Sequence, residues 1–325
     1  MKHFTTTKHW VTFLLLPLFL VFSCQPNEDP DLLEDDSLHL LSLEETLASF
    51  DDGSDDPGEA ERGFRRGPRF RTLTKALVVT GLLPVIIKNK LTIFAPTDKA
   101  FKQIGLTARN IRDVENLKEI LLYHVVAGKV FANDLVPGFV PTLNGAAVEV
   151  NLSGGVFINQ AEVIKPDVRF IRGVLHIVDE VLLPPTQNIV EIAQGNDDFS
   201  ILVEAVIKAG LAGELSGEGP FTVFAPTNDA FVELLGILGA TDLDDIPLET
   251  LTAVLLYHVV EGRVYSSDLT SGSVNTLGGG SFIVDVPSLT IDDSGSTEDA
   301  NLVPAGLDIQ GTNGVIHVVD KVLLP

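Results

Sequence analysis

The sequence predicts an α+β protein made of two tandem copies of one domain, and three observations lead there. Three blocks recur in the same order, helical spacing gives way to short β-branched runs inside each copy, and the repeat distance lets each copy fold alone.

TIFAPTDKAF at Thr92–Phe101 returns as TVFAPTNDAF at Thr222–Phe231, with seven of ten positions identical. LLYHVVAGKVFANDL from Leu121 returns as LLYHVVEGRVYSSDL from Leu255, ten of fifteen identical, and GVLHIVDEVLLP from Gly173 returns as GVIHVVDKVLLP from Gly314, nine of twelve. The offsets grow from 130 to 134 to 141, which places small insertions in the second copy, the last expected around the turn-forming run DDSGSTEDAN. A copy of this size exceeds the roughly 20 to 50 residues of a stacked solenoid unit, so each can bury a core of its own.

Inside a copy, LKEILLYH places Leu117, Ile120, Leu121 and His124 on one helical stripe, and LTAVLLYH does the same with Leu251, Val254, Leu255 and His258. In APTDKAF and APTNDAF the proline ends a strand, and the Thr or the following Asp or Asn is placed to cap a new helix. LNGAA and LGGGS are turn signals between β-branched runs and predict hairpins. The closing GVIHVVDKVLL reads as a buried strand with Val315, His317 and Val319 on one face. Helices gathered early and strands gathered late give an α+β domain with antiparallel sheet.

Residues 1–23 read as a signal peptide: Lys2 and Lys8 precede the apolar run VTFLLLPLFLVF, and a small residue, Ser23, precedes the cut. That run is about a dozen residues long, whereas a spanning helix needs roughly 20. The stretch LVFSC resembles the lipobox of bacterial lipoproteins, which implies a lipid on Cys24 and attachment to an envelope membrane. Gln25 resembles the outer-membrane sorting class and leaves both periplasmic and cell-surface orientations open. Cys24 is the chain's single cysteine, so the domains are stabilised without disulfides.

Residues 24–63 follow as an acidic tether, 64–184 as the first domain and 187–325 as the second. From Gln25 to Gly63 there are 14 acids and one base, from Phe64 to Pro184 10 acids and 16 bases, and from Pro185 onward 21 acids and 3 bases. A mildly basic module between two strongly acidic ones argues against a nucleic-acid partner for the whole chain. Within the tether, SLHLLSLEETLASF sets Leu40, Leu43, Leu47 and Phe50 near one helical face with no partner identified.

These blocks resemble the fasciclin (FAS1) family. TxFAPTxxAF is similar to its first signature, LLYHVV to its central Tyr-His motif and GVxHVVDxVLLP to its second signature, twice over. The resemblance implies two tandem domains, each an antiparallel β-wedge with packed helices, and a role in adhesion. The first copy departs from the pattern at its start. AERGFRRGPRFRTLTKALV stands where the second copy has NIVEIAQGNDDFSILVEAV, so its first helix is missing, displaced or supplied by the leucine-rich tether segment.

The interaction candidates follow from that resemblance. Tyr123 with His124, and Tyr257 with His258, match the motif associated with adhesion in animal members; a histidine on an apolar stripe equally fits a hydrogen-bonded core residue. Asp167 with Val168, and Asp308 with Ile309, stand where some animal members carry an Asp-Ile pair implicated in integrin contact, and an ordinary strand-edge turn fits them too. Arg65, Arg66, Arg69 and Arg71, interleaved with Phe64 and Phe70, suit a phosphate or carboxylate partner or the chain's own acidic tether.

A metal is not expected, because the histidines lack the close spacing of a ligand pair, and no cofactor is implied. The mature chain has no cysteine nucleophile, HExxH, GxSxG or phosphate-binding loop, so catalysis is not expected. The function expected is an envelope-anchored adhesion protein that meets a surface protein or glycan, with avidity from the pair. The alternative is a carrier of a lipophilic ligand such as a carotenoid or lipid.

Overall fold

The computed structural model describes residues 40–51, 68–293, 295–296 and 298–325, and Leu40–Pro325 form one compact unit. Cys24, Arg65 and Arg66 lie outside the described residues.

The strands of the first domain are β1 (Leu91–Pro96), β2 (Val125–Ala127), β3 (Gly138–Pro141), β4 (Ala147–Asn151), β5 (Phe157–Ile158), β6 (Ala161–Phe170) and β7 (Gly173–Val178). They form one sheet in the order β2-β1-β7-β6-β5-β4-β3. Every pairing is antiparallel except β1 with β7, which run parallel from Leu91↔Gly173 to Pro96↔Val178. The two signature strands are therefore neighbours, and the long connection between them supplies the crossover that a parallel pair requires. Gly173 makes this approach feasible, since a β-carbon there would sit 2.3 Å from the Leu91 carbonyl.

The second domain repeats the plan with β8 (Phe221–Pro226), β9 (Val259–Glu261), β10 (Gly272–Asn275), β11 (Ser281–Asp285), β12 (Thr290–Asp292), β13 (Ala300–Asn301), β14 (Ile309–Gly311) and β15 (Gly314–Val319). Here β8 and β15 make the parallel pair. The long β6 of the first domain is broken in two: β13 and β14 flank a 3-10 turn at Pro304–Gly306, and the sheet divides into β14-β15-β8-β9 and β10-β11-β12-β13. The bridge Leu302↔Val319 still links the two sheets, and beside it the Asp320 amide donates to the Asn301 carbonyl at 3.1 Å. The predicted insertion falls in the connection between β12 and β13, where Asp293 turns the chain by accepting the Ser296 amide at 2.6 Å.

Both faces of the signature strands are buried, so each domain has two cores. Ile93, Ala95, Leu175 and Ile177 meet the helices, while Phe94 and Val178 meet the β3–β6 side. The caps form as the sequence implies: Thr97 Oγ1 accepts the Ala100 amide at 3.2 Å and Thr227 Oγ1 accepts the Ala230 amide at 3.4 Å. The residue after each cap ties the helix to its predecessor, Asp98 accepting the Thr72 amide at 2.8 Å and Asn228 the Ile201 amide at 2.9 Å.

The helix that copy one lacked at its start is the leucine-rich segment. Helix Leu43–Asp51 buries Leu43 and Leu47 in the first domain's core, and Phe50 meets Phe70 edge to face at 5.5 Å. It opens with the same capping box as the second domain's helix Ile189–Gln194. Ser42 and Glu45 exchange bonds at 2.8 and 3.2 Å, as Asn188 and Glu191 do at 2.8 and 2.9 Å. Each lead-in also pairs with the turn before the final strand, Ile171 donating to the Leu41 carbonyl and Thr312 to that of Gln187. The segment expected to be tether is thus, from Leu40 to Asp51, part of the first domain.

Candidate functional site

Each Tyr-His pair ends a helix, Leu117–Tyr123 in the first domain and Leu248–Tyr257 in the second, with the histidine as the C-cap residue. His124 Nδ1 lies 2.7 Å from the Ile120 carbonyl, and its Nε2 accepts the Leu182 amide at 3.0 Å. His258 repeats this with the Val254 carbonyl at 2.8 Å and the Leu323 amide at 2.9 Å. A ring that donates from Nδ1 and accepts at Nε2 is neutral, and burial pushes both histidines down to about 4. They staple the helix end to the tail that follows the last strand.

His176 and His317 use the opposite tautomer. Their Nε2 atoms lie 2.9 Å from the carbonyls of Val130 and Val264, and their Nδ1 atoms accept the amides of Asp167 and Asp308 at 3.3 Å. Burial lowers both below the usual histidine range.

Those aspartates have φ of 59° in each copy, a left-handed conformation that Asp tolerates better than most residues. Their carboxylates turn inward: Asp167 accepts the Ala132 amide at 2.8 Å, while Asp308 accepts the Ser266 amide at 2.7 Å and the Ser266 hydroxyl. Val168 and Ile309 are half-buried and pack on the cores of their own domains. Asp167 thus sits at an irregularity of β6 and Asp308 at the entry to β14, each with its carboxylate engaged.

Arg71 is the exposed first residue of helix Arg71–Thr80, and Arg69 is half-buried with its carbonyl accepting the Asp98 amide at 2.7 Å. Among the described residues no group of three or more His, Cys, Asp or Glu is arranged to hold a metal, and no helix is long and apolar enough to cross a membrane. The apolar space under helix Ile189–Gln194 is about 50 Å³, below the roughly 300–1,000 Å³ of small-molecule pockets.

The arrangement that sequence reasoning missed is the joint between the domains. Tyr265 of the second domain stacks on Phe139 of the first, centroids 4.4 Å apart and planes 8° from parallel. Its hydroxyl accepts the Ala147 amide at 3.1 Å and donates to Gln310 Oε1 at 2.8 Å, while Gln310 Oε1 also takes the Ala147 amide at 3.1 Å. The Ala147 carbonyl in turn accepts the Tyr123 hydroxyl at 2.8 Å, so the first Tyr-His motif is one residue removed from the joint. Phe139 donates its amide to Ser267 Oγ at 3.3 Å. Beside this contact lies a polar cleft of about 630 Å³ whose walls include Tyr123, Glu149 and Asn159 from one domain and Ser267, Asp308 and Gln310 from the other. Two candidates from different domains, Tyr123 and Asp308, thus meet at one place. The signal available in sequence was asymmetry between copies: Tyr265 aligns with Phe131, and Phe139 with Ser273.

The fold and these repeated features define a class, a tandem pair of like α+β domains with paired signature strands and a Tyr-His helix end. A family model described as Fasciclin domain matches residues 68–184 and 197–325, more than half of the chain, and the chain belongs to the fasciclin domain family. Protein sll1483 of Synechocystis sp. is 40% identical over 149 residues, 46% of this chain and 79% of that protein. Transforming growth factor-beta-induced protein ig-h3 of Sus scrofa is 30% identical over 244 residues, 72% of this chain and 34% of that protein. Periostin of Homo sapiens is 29% identical over 249 residues, 73% of this chain and 29% of that protein. The chain thus spans about a third or less of the length of these two animal proteins. A solved FAS1 domain pair from the insect cell adhesion molecule fasciclin I matches 78% of this chain and 97% of its own, at 20% identity and a TM-score of 0.36, too low to transfer a domain arrangement.

Proposed function

We propose that the protein is a non-catalytic adhesion or interaction protein, held to the cell envelope by lipid on Cys24 and presenting two rigidly joined domains. The observation that carries this reading is the use of the histidines. All four repeat-equivalent rings engage both nitrogens with their own domain's backbone, so the groups best suited to proton transfer at neutral pH are spent on structure. Without a reactive constellation, the repeated fold offers surface, and the joint fixes two such surfaces in one orientation. Membership of the fasciclin domain family supports the same reading.

The partner in this reading is a surface protein or glycan, and the outer membrane is the expected site of anchoring. Beads coated with the full chain should capture intact cells above beads coated with an unrelated protein of equal negative charge. Equal capture would overturn the reading. Protease shaving of intact producing cells should remove the domains if they face outward.

A further inference from the structure

Three hydrogen bonds recur in both copies and mark one end of each domain. In the first domain the Ile171 amide donates to the Leu41 carbonyl at 3.0 Å, the Leu91 amide to the Arg172 carbonyl at 3.3 Å and the Gly128 amide to the Lys90 carbonyl at 2.9 Å. In the second, the amides of Thr312, Phe221 and Gly262 bond the carbonyls of Gln187, Asn313 and Pro220 in the same way. These bonds gather at one place the chain's entry into the domain, the start of its first signature strand and the turn before its last strand.

In the first domain this end is apolar and basic. Leu40, Leu41, Ile87 and Ile171 are between 41% and 53% exposed, and exposed Lys88, Lys129 and Arg172 stand among them in the same stretches of chain. Residues 40–43, 85–92, 126–132 and 170–174, which build the end, include no Asp or Glu. The next acids along the chain are Glu44 and Glu45, and Glu45 is engaged, accepting the Ser42 amide at 2.8 Å.

The same positions in the second domain are polar or small. Thr186, Gln187, Gly217 and Thr312 replace the four exposed apolar residues, and Glu218 and Asn313 replace Lys88 and Arg172. Arg263, the counterpart of Lys129, turns its guanidinium back onto the carbonyls of Gly311, Thr312 and Gly314 at 3.0, 3.0 and 3.1 Å. The fold itself therefore does not require an apolar, cationic end, and the copy that has one is the copy that follows the tether.

Exposed aliphatic side chains set among lysine and arginine suit the boundary between lipid headgroups and acyl chains, where cations meet phosphates and aliphatic tips leave water. We propose that this end of the first domain rests on an anionic phospholipid surface, with Leu41 and Ile171 dipping into the headgroup boundary and Lys88, Lys129 and Arg172 meeting lipid phosphates. The proposal rests on the anchoring of Cys24 put forward above: the residues between Cys24 and Leu40 span at most about 55 Å, and they deliver this end of the domain toward the membrane. The second domain, with 21 acids and 3 bases from Pro185 onward, is repelled by the same surface, so the pair stands with that domain outward. Three cations and four partly exposed aliphatics make a weak, salt-sensitive contact, one that orients the domain while the acyl chains hold it.

The chain from residue 24 onward carrying Cys24→Ser keeps both folded domains and has no acyl chain, so it reports this contact without the anchor. Sedimented with vesicles of about one third phosphatidylglycerol in phosphatidylcholine at about 20 mM salt, it should bind roughly tenfold better than to phosphatidylcholine alone, and about 500 mM salt should remove the preference. The double variant Lys88→Glu and Arg172→Glu should weaken anionic binding about tenfold, and Ile171→Ser about threefold. Lys99→Glu with Lys102→Glu, an equal charge change on helix Asp98–Gln103 beyond the opposite end of β1, should stay within about threefold of the parent. Urea midpoints of these exposed-site variants should match the parent's. Equal binding to both vesicle types would overturn the proposal, as would a Lys88→Glu and Arg172→Glu variant that binds as the parent does. No binding to either, the result expected if the acidic residues 25–39 occupy these cations instead, would also overturn it. Fractionation of Cys24→Ser in cells tests the anchor alone, so the two readings fail separately.

Discussion

Tyr265 lies flat on Phe139 across the domain joint, and the same tyrosine's hydroxyl takes the Ala147 amide at 3.1 Å. Stacking of this kind is worth about 0.5–1.5 kcal/mol beyond the area it buries, and truncating a buried aromatic to alanine costs roughly 3–5 kcal/mol. Tyr265→Ala should therefore separate the two domains thermodynamically. Calorimetry should resolve two unfolding transitions in the variant where the parent shows one. Tyr265→Phe keeps the stack and leaves Gln310 on the Ala147 amide, so it should retain one transition at a loss of about 1 kcal/mol. Unchanged coupling in Tyr265→Ala would mean that the joint is held elsewhere.

The neutral histidine staples make the fold sensitive to mild acid. His124 and His258 are pushed by burial from 6.5 to about 4, so between those values the unfolded chain binds protons that the folded chain refuses. Their contribution is complete above about pH 6.5 and is lost as pH falls toward 4, on the order of 3 kcal/mol per histidine in full. His176 and His317 are lowered in the same direction. Urea midpoints should fall between about pH 7 and pH 5, and the double variant His124→Gln and His258→Gln should show a shallower fall. Parallel curves for parent and variant would exclude these rings as the source.

Asp167 separates a structural role from a contact role. Its carboxylate bonds the Ala132 amide and its backbone sits at φ 59°. Asp167→Asn keeps an acceptor oxygen and tolerance of the left-handed region, so stability should change by less than about 1 kcal/mol. Asp167→Ala loses the acceptor and strains the turn, and should cost roughly 1–3 kcal/mol. If instead both variants keep full stability and lose adhesion, the position is a contact point.

Much of this fold was legible because the repeated blocks carry local signals that survive without a partner. The stripe Leu251, Val254, Leu255 and His258 is buried on its helix, and the Thr97 and Thr227 caps form. The parallel pairing of β1 with β7 was not legible, because periodicity marks a strand as buried and says nothing about its neighbour. The chemistry of the histidines was half legible: their stripe implied burial, while the second bond to each ring comes from a residue 58 or 65 positions away. The joint was invisible for a related reason. Phe139, Ala147 and Gln310 carry no motif, and their roles exist only once two domains are placed together.

The lipid anchor proposed on Cys24 is tested by fractionation, separately from the folded domains. Cys24→Ser should move the protein from the membrane fraction into the soluble fraction, since the several acyl chains expected on Cys24 would contribute about 0.8 kcal/mol per buried methylene. Retention of the variant on the membrane would point to another attachment.

Helix Leu43–Asp51 gives the clearest contest between tether and domain. A tether tolerates loss of its leucines, because solvated side chains contribute little. Leu43 and Leu47 are instead each 1% exposed within the first domain's core, and Asp51 Oδ1 accepts the Phe70 amide at 3.1 Å, tying the helix end to the start of helix Arg71–Thr80. Leu47→Ala should then destabilise the first domain by about 2–5 kcal/mol, whereas Leu40→Ala, whose side chain is 41% exposed, should fall within about 0.5 kcal/mol of the parent. Removing residues 40–51 altogether should leave a first domain that unfolds at lower denaturant while the second keeps its own transition. Equal midpoints for Leu47→Ala and Leu40→Ala would return the segment to the tether.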